Sequence, residues 1–101
     1  MNKPLHLKKL RKNLAYKVKL SNTAKKQLAK LDKPIAKRII QWMRERIETY
    51  DNPRLWGEPL VGEFSGLWKY RIGTFRLICE IKDNLLIVLV LEIGHRKEIY
   101  S

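Results

Sequence analysis

In the stretches Leu67-Trp68-Lys69-Tyr70-Arg71-Ile72 and Phe75-Arg76-Leu77-Ile78-Cys79-Glu80-Ile81, residues alternate between an apolar set and a set rich in basic side chains. Successive side chains on a strand point to opposite sides, so this alternation predicts two strands. Gly73-Thr74 between them has the length of a tight hairpin loop. That loop sets Ile72 against Phe75, Arg71 against Arg76, Tyr70 against Leu77 and Trp68 against Cys79. Trp68, Tyr70, Ile72, Phe75, Leu77, Cys79 and Ile81 then share one side, and Lys69, Arg71 and Arg76 the other. Like charges set opposite each other in a sheet repel. Three cations gathered on one patch therefore suggest a bound anion.

The rest of the chain frames this hairpin. Ala15-Tyr16-Lys17-Val18-Lys19-Leu20 alternates and predicts a first strand. Ser21 is placed to cap a helix with Ala24, Leu28 and Leu31 on one stripe. Asp32 is placed to cap a second helix that admits Pro34 in its first turn. Its apolar positions are Ile35, Ile39, Met43, Ile47 and Tyr50, with Trp42 beside them, and Asp51-Asn52-Pro53 is expected to end it. The two form an antiparallel helical hairpin. A loop to about Gly66 comes next, then the strand hairpin, a turn at Asp83-Asn84 and a strand from Leu85 to Ile93. The last strand is apolar on both sides, which suits the middle of a sheet. The order β-α-α-β-β-β predicts an α+β fold, with both helices on one face of a sheet that ends in a three-stranded antiparallel meander. A two-residue loop at Asp83-Asn84 would put Ile78, Leu89 and Leu91 on the side of Arg76, so helices or a partner must cover part of that side.

One hundred and one residues suit one domain. Charge is the unusual property: 22 Lys and Arg against 10 Asp and Glu leave a net +12. Such an excess favours polyanions, although acidic proteins and anionic membranes also qualify. Residues 1–13 hold Lys3, Lys8, Lys9, Arg11 and Lys12 and no acid, and read as a basic N-terminal arm ahead of a domain at 14–101. The lone Cys79 forms no internal disulfide and, with no apolar run long enough to span a membrane and no secretory signal, points to a reducing, cytoplasmic setting without a membrane partner.

Two histidines, His6 and His95, with one cysteine do not make an ordinary zinc site, and neither a nucleophilic triad nor a phosphate-cradling glycine loop is present. No metal and no cofactor are expected. Cations, one histidine and several aromatics remain. That set suits RNA cleavage by the RNA's own 2′-hydroxyl, for which a protein need only align the strand, supply positive charge and move protons. A guanidinium fork matches two phosphate oxygens at once.

The run from Gly66 to Ile81, together with Val90-Leu91-Glu92-Ile93-Gly94-His95-Arg96-Lys97-Glu98-Ile99-Tyr100, strongly resembles the RelE branch of the RelE/ParE toxin superfamily. The resemblance covers about residues 15–100. It implies the toxin of a type II toxin–antitoxin pair: a ribosome-dependent endoribonuclease that cuts mRNA in the A site and is neutralised by a cognate antitoxin. Carried over by position, the family's functional residues fall on Lys69, Arg71, Arg76, Arg96 and Tyr100, with His95 where relatives have lysine or histidine. Arg71 stands where the best-known members have lysine; arginine stabilises a phosphorane but is a poor base. The general base is then Lys69 or His95. Two other readings compete: a ParE-like inhibitor of DNA gyrase that binds without cutting, and a non-catalytic RNA-binding module.

Overall fold

The computed structural model describes residues 15–49 and 51–95. The arm at residues 1–13 lies outside them, as do Arg96, Tyr100 and Tyr50. Strand β1 (Lys17–Leu20) leads into helices α1 (Asn22–Lys30) and α2 (Lys33–Arg46), then strands β2 (Gly57–Pro59), β3 (Trp68–Ile72), β4 (Phe75–Lys82) and β5 (Ile87–His95). The five strands form one mixed sheet in the order β1-β5-β4-β3-β2. β1 runs parallel to β5 and every other pairing is antiparallel. The expected α+β order and the meander β3-β4-β5 are present, and the apolar β5 is indeed internal. Sequence alternation missed β2, whose three residues are too few to show a period. Pro59 is tolerated there because β2 is the sheet edge.

Ser21 caps α1 as expected, its Oγ accepting from the Ala24 amide at 3.0 Å. Asp32 occupies the cap position of α2 but makes no side-chain cap bond, and Pro34 sits in the first turn. α2 stops at Arg46, earlier than Asp51-Asn52-Pro53, although Ile47 just past its end is fully buried. Ala24, Ile39, Met43 and Ile47 meet Tyr70, Ile72, Leu77, Cys79, Val88, Val90 and Ile93 in one core. Burial raises the Cys79 thiol pKa well above its ordinary value, which leaves Cys79 an inert filler of that core. Tyr70 is central: its hydroxyl donates to the Pro53 carbonyl and its ring meets Trp42 edge-on at 5.6 Å. Trp68 is less buried than its place on the apolar side suggests, and the Arg54 guanidinium lies 5.5 Å over its ring.

Two departures from simple alternation decide which side of the sheet the C-terminal residues occupy. The turn between β4 and β5 is longer than two residues: Asp83–Leu85 form a 3-10 turn and Leu86 takes a left-handed conformation at φ 54. Lys82 therefore pairs with Ile87. Further on, Cys79 pairs with Val90 but Ile78 pairs with Glu92, so Leu91 is an extra residue, a β-bulge. One extra residue exchanges the two sides of everything after it. Unbroken alternation from Val90 would turn Glu92 into the core and Ile93 out. With the bulge, Ile93 is 2% exposed and Glu92 is exposed to solvent.

The irregular stretch is stitched to α1. The Ser21 hydroxyl donates to the Leu91 carbonyl at 2.8 Å, the Ser21 amide donates to the Val90 carbonyl, and the Gln27 side-chain oxygen accepts from the Ile93 amide at 2.6 Å. Backbone groups near the bulge thus find partners on the helix rather than on β4.

Candidate functional site

Lys69 and Arg71 on β3 and Arg76 on β4 lie on the side of the sheet away from the helices, in the expected register: Lys69 opposite Ile78, Arg71 opposite Arg76, Tyr70 opposite Leu77. The hairpin turn holds this register. Gly73 has φ +61, as a tight hairpin turn with glycine in first place requires, so Arg71 and Arg76 are locked across from each other one residue inside it. Arg71 is exposed; Lys69 and Arg76 are half-buried.

This face is not purely cationic. β2 pairs with β3 so that Glu58 stands opposite Lys69, and its Oε1 lies 3.1 Å from Arg71 Nε. Register also puts Glu80 and Glu92 on the same side, opposite Leu89 and Ile78. Neither Lys69 nor Arg76 has an ion pair among the described residues. Ile78, on this face, is 3% exposed, and Leu89 and Leu91 are half-buried. The mixed apolar and basic surface expected from sequence is therefore present.

His95 is elsewhere. It pairs with Phe75, a residue on the helix side, and the two rings meet edge-on at 5.7 Å. The bulge produces this placement, since uninterrupted alternation would have turned His95 towards Arg76. Of the sequence-derived candidates the structure joins Lys69, Arg71 and Arg76, separates His95, and does not describe Arg96 or Tyr100. Glu58 was missed because the run Gly57-Glu58-Pro59 reads as loop. Among the described residues no three His, Cys, Asp or Glu side chains are grouped as a metal ion would need, and no helix is long and apolar enough to cross a membrane.

A small mixed sheet backed by two helices, presenting Lys69 and Arg76 with no ion pair among the described residues beside Arg71 in an exposed one, defines a protein suited to an anionic partner. Comparison with known proteins narrows that class. Residues 18–100 match the family model described as the ParE toxin of the type II toxin–antitoxin system parDE. Toxin RelG of Mycobacterium tuberculosis is 31% identical over 87 residues, which span 86% of this chain and 98% of RelG. The RelBE2 toxin–antitoxin complex of Mycobacterium tuberculosis contains a chain with 30% identity and a TM-score of 0.74, covering 81% of this chain and 92% of that one. A mutant RelE toxin of E. coli in its free state shares the fold at 22% identity and a TM-score of 0.68, with 84% and 87% covered. The chain belongs to the RelE/ParE superfamily of type II toxin–antitoxin toxins. The relatives at 30% identity and above carry RelE-type names, which places it in the RelE branch.

Proposed function

We propose that this toxin is a metal-independent endoribonuclease that cuts mRNA in the ribosomal A site, and that a cognate antitoxin binds and neutralises it. Structural relatives that occur in complexes with RelB-type antitoxins support the second part. The observation that carries the first is the register that puts Arg71 opposite Arg76, with Lys69 on the same face and Arg76 in no ion pair among the described residues. In the proposed reaction the 2′-oxygen of one nucleotide forms a bond to the adjacent phosphorus and the bond from phosphorus to the 5′-oxygen breaks. The products carry a 2′,3′-cyclic phosphate and a 5′-hydroxyl. Arg76 and Arg71 stabilise charge on the non-bridging oxygens, Arg71 exchanging Glu58 for phosphate. Lys69 is the base on this face and takes the 2′-hydroxyl proton, while solvent supplies the proton that completes the 5′-hydroxyl; the position of His95 beside Phe75 favours Lys69 over it as the base. Arg96 and Tyr100 keep the roles that the family resemblance gives them, in phosphate binding and in stacking or proton transfer. The ribosome supplies what this open face lacks, a rigid strand held for in-line attack.

The test is induction in cells with primer-extension mapping of mRNA ends, alongside ribosome co-sedimentation. Arg76→Ala should lower cleavage by about 10²-fold or more, as loss of a transition-state contact does, and leave co-sedimentation nearly unchanged. Intact messages with the wild-type protein would refute the reading. A second reading, gyrase inhibition, is favoured by the ParE description of the matching family. It predicts loss of supercoiling activity on adding the purified chain, with messages left whole.

A further inference from the structure

We propose that the groove where α2 meets the β3 side of the sheet is a second RNA subsite, in which a base of single-stranded RNA stacks on Trp56 while Arg38 and Arg46 hold its flanking phosphates. The groove has a volume of about 420 Å³ and is lined by Arg38, Trp42, Arg46, Trp56, Glu58 and Arg71. Three guanidinium groups face one carboxylate, and that carboxylate is already paired with Arg71. Two indole rings complete the wall.

Each part is held in place. The Arg46 guanidinium lies 5.0 Å from the Trp56 ring and 5.7 Å from the Trp42 ring, which fixes the indoles by cation–π attraction. Trp56 nonetheless remains 47% exposed, an unusual state for so large an apolar ring. Arg38 reaches from α2 across the β3–β4 turn. A Cβ on Gly73 would come within 3.2 Å of its Nη2, so the same glycine that shapes the turn leaves room for this arginine. A π-face beside guanidinium groups suits a nucleotide, because bases stack on aromatics irrespective of sequence while phosphates take the charge. An acidic peptide would use the arginines and leave the indoles without a role. Arg71 borders both this groove and the basic sheet face, so RNA leaving the cutting site has a continuous path around the sheet edge.

The inference rests on the reading of the protein as an RNA-cutting toxin, and its test separates the two. Binding of a fluorescent eight-nucleotide RNA to the free full-length chain is followed by anisotropy, with ribosomal cleavage of a message assayed in parallel. Trp56→Leu, which keeps apolar bulk but has no ring, should weaken octamer binding about tenfold or more, whereas Trp56→Phe should stay within about threefold of wild type. Arg38→Ala should weaken it as well, and unlabelled octamer should quench indole emission of the wild type. Equal octamer affinity for Trp56→Leu and wild type would overturn the subsite. So would lack of quenching, or an octamer displaced by polyglutamate and not by unlabelled RNA. If the octamer binds through Trp56 while the wild type leaves ribosome-bound messages whole, the subsite stands and the nuclease reading fails.

Discussion

Glu58 alters what Arg71 contributes. In the free protein the guanidinium is held by a carboxylate at 3.1 Å, and both side chains are more than half exposed. Exposed pairs of this sort contribute about 0–1 kcal/mol, so an incoming phosphate displaces Glu58 at little cost. Glu58→Gln should therefore tighten binding of an RNA oligonucleotide about two- to fivefold, measurable by anisotropy, with a negligible change in melting temperature. A different carboxylate has a structural role. Asp83 accepts two hydrogen bonds from Arg54, at 3.0 and 2.7 Å, and one from the Tyr16 hydroxyl at 2.5 Å. These contacts, Arg54 foremost, hold its carboxyl down at about 2, and the same contact raises the Tyr16 hydroxyl above its ordinary value. A depressed carboxylate pKa adds stability above the ordinary value near 3.8, and that stability is lost as pH falls through about 2. Asp83→Asn should accordingly melt below wild type at pH 7, with the gap closing between about pH 4 and pH 2. A gap that persists unchanged at pH 2 would show that the clamp is not electrostatic.

Among the elements, the hairpin of β3 and β4 was the most legible. Its period of two, a two-residue turn beginning with glycine and the paired apolar set left one register, and that register is the observed one. The helices were legible in kind and less so in extent, since α2 ends at Arg46 while the apolar spacing in the sequence runs on through Ile47 to Tyr50, just before Asp51-Asn52-Pro53. β2 was hidden by its brevity, and Glu58 with it. The side on which His95 lies could not be read at all, because a bulge inside a run apolar on both sides leaves no trace in hydropathy. Leu89, Val90 and Leu91 look alike, and only the partners on α1 tell which residue is extra. Those partners are open to measurement. Ser21→Ala removes both the cap of α1 and the bond to Leu91, and should cost about 1–2 kcal/mol by urea denaturation. Gln27→Ala strands the Ile93 amide and should cost about 1 kcal/mol or more.

Over the whole molecule the net charge of +12 exceeds anything the sheet face needs, since Lys69, Arg71 and Arg76 account for a quarter of it. The surplus suits a ribosomal partner, where counterion release makes affinity fall steeply with salt. Ribosome co-sedimentation should weaken by orders of magnitude between about 50 and 200 mM salt as about six or more phosphates are engaged. Arg38→Ala should reduce the slope of log affinity for the RNA octamer against log salt by about 0.7, while Arg76→Ala leaves cleavage lost even at low salt. The extra residue in β5 has a broader consequence for this layout. Because Leu91 stands outside the pairing, the basic half and the packing half of the molecule agree only while it stays bulged between Val90 and Glu92. Straightening the bulge with that leucine kept in the ladder would retain every charge and all the apolar content, yet drive a carboxylate inward and an isoleucine outward. Here, which residue is left out of the pairing carries instructions that composition does not.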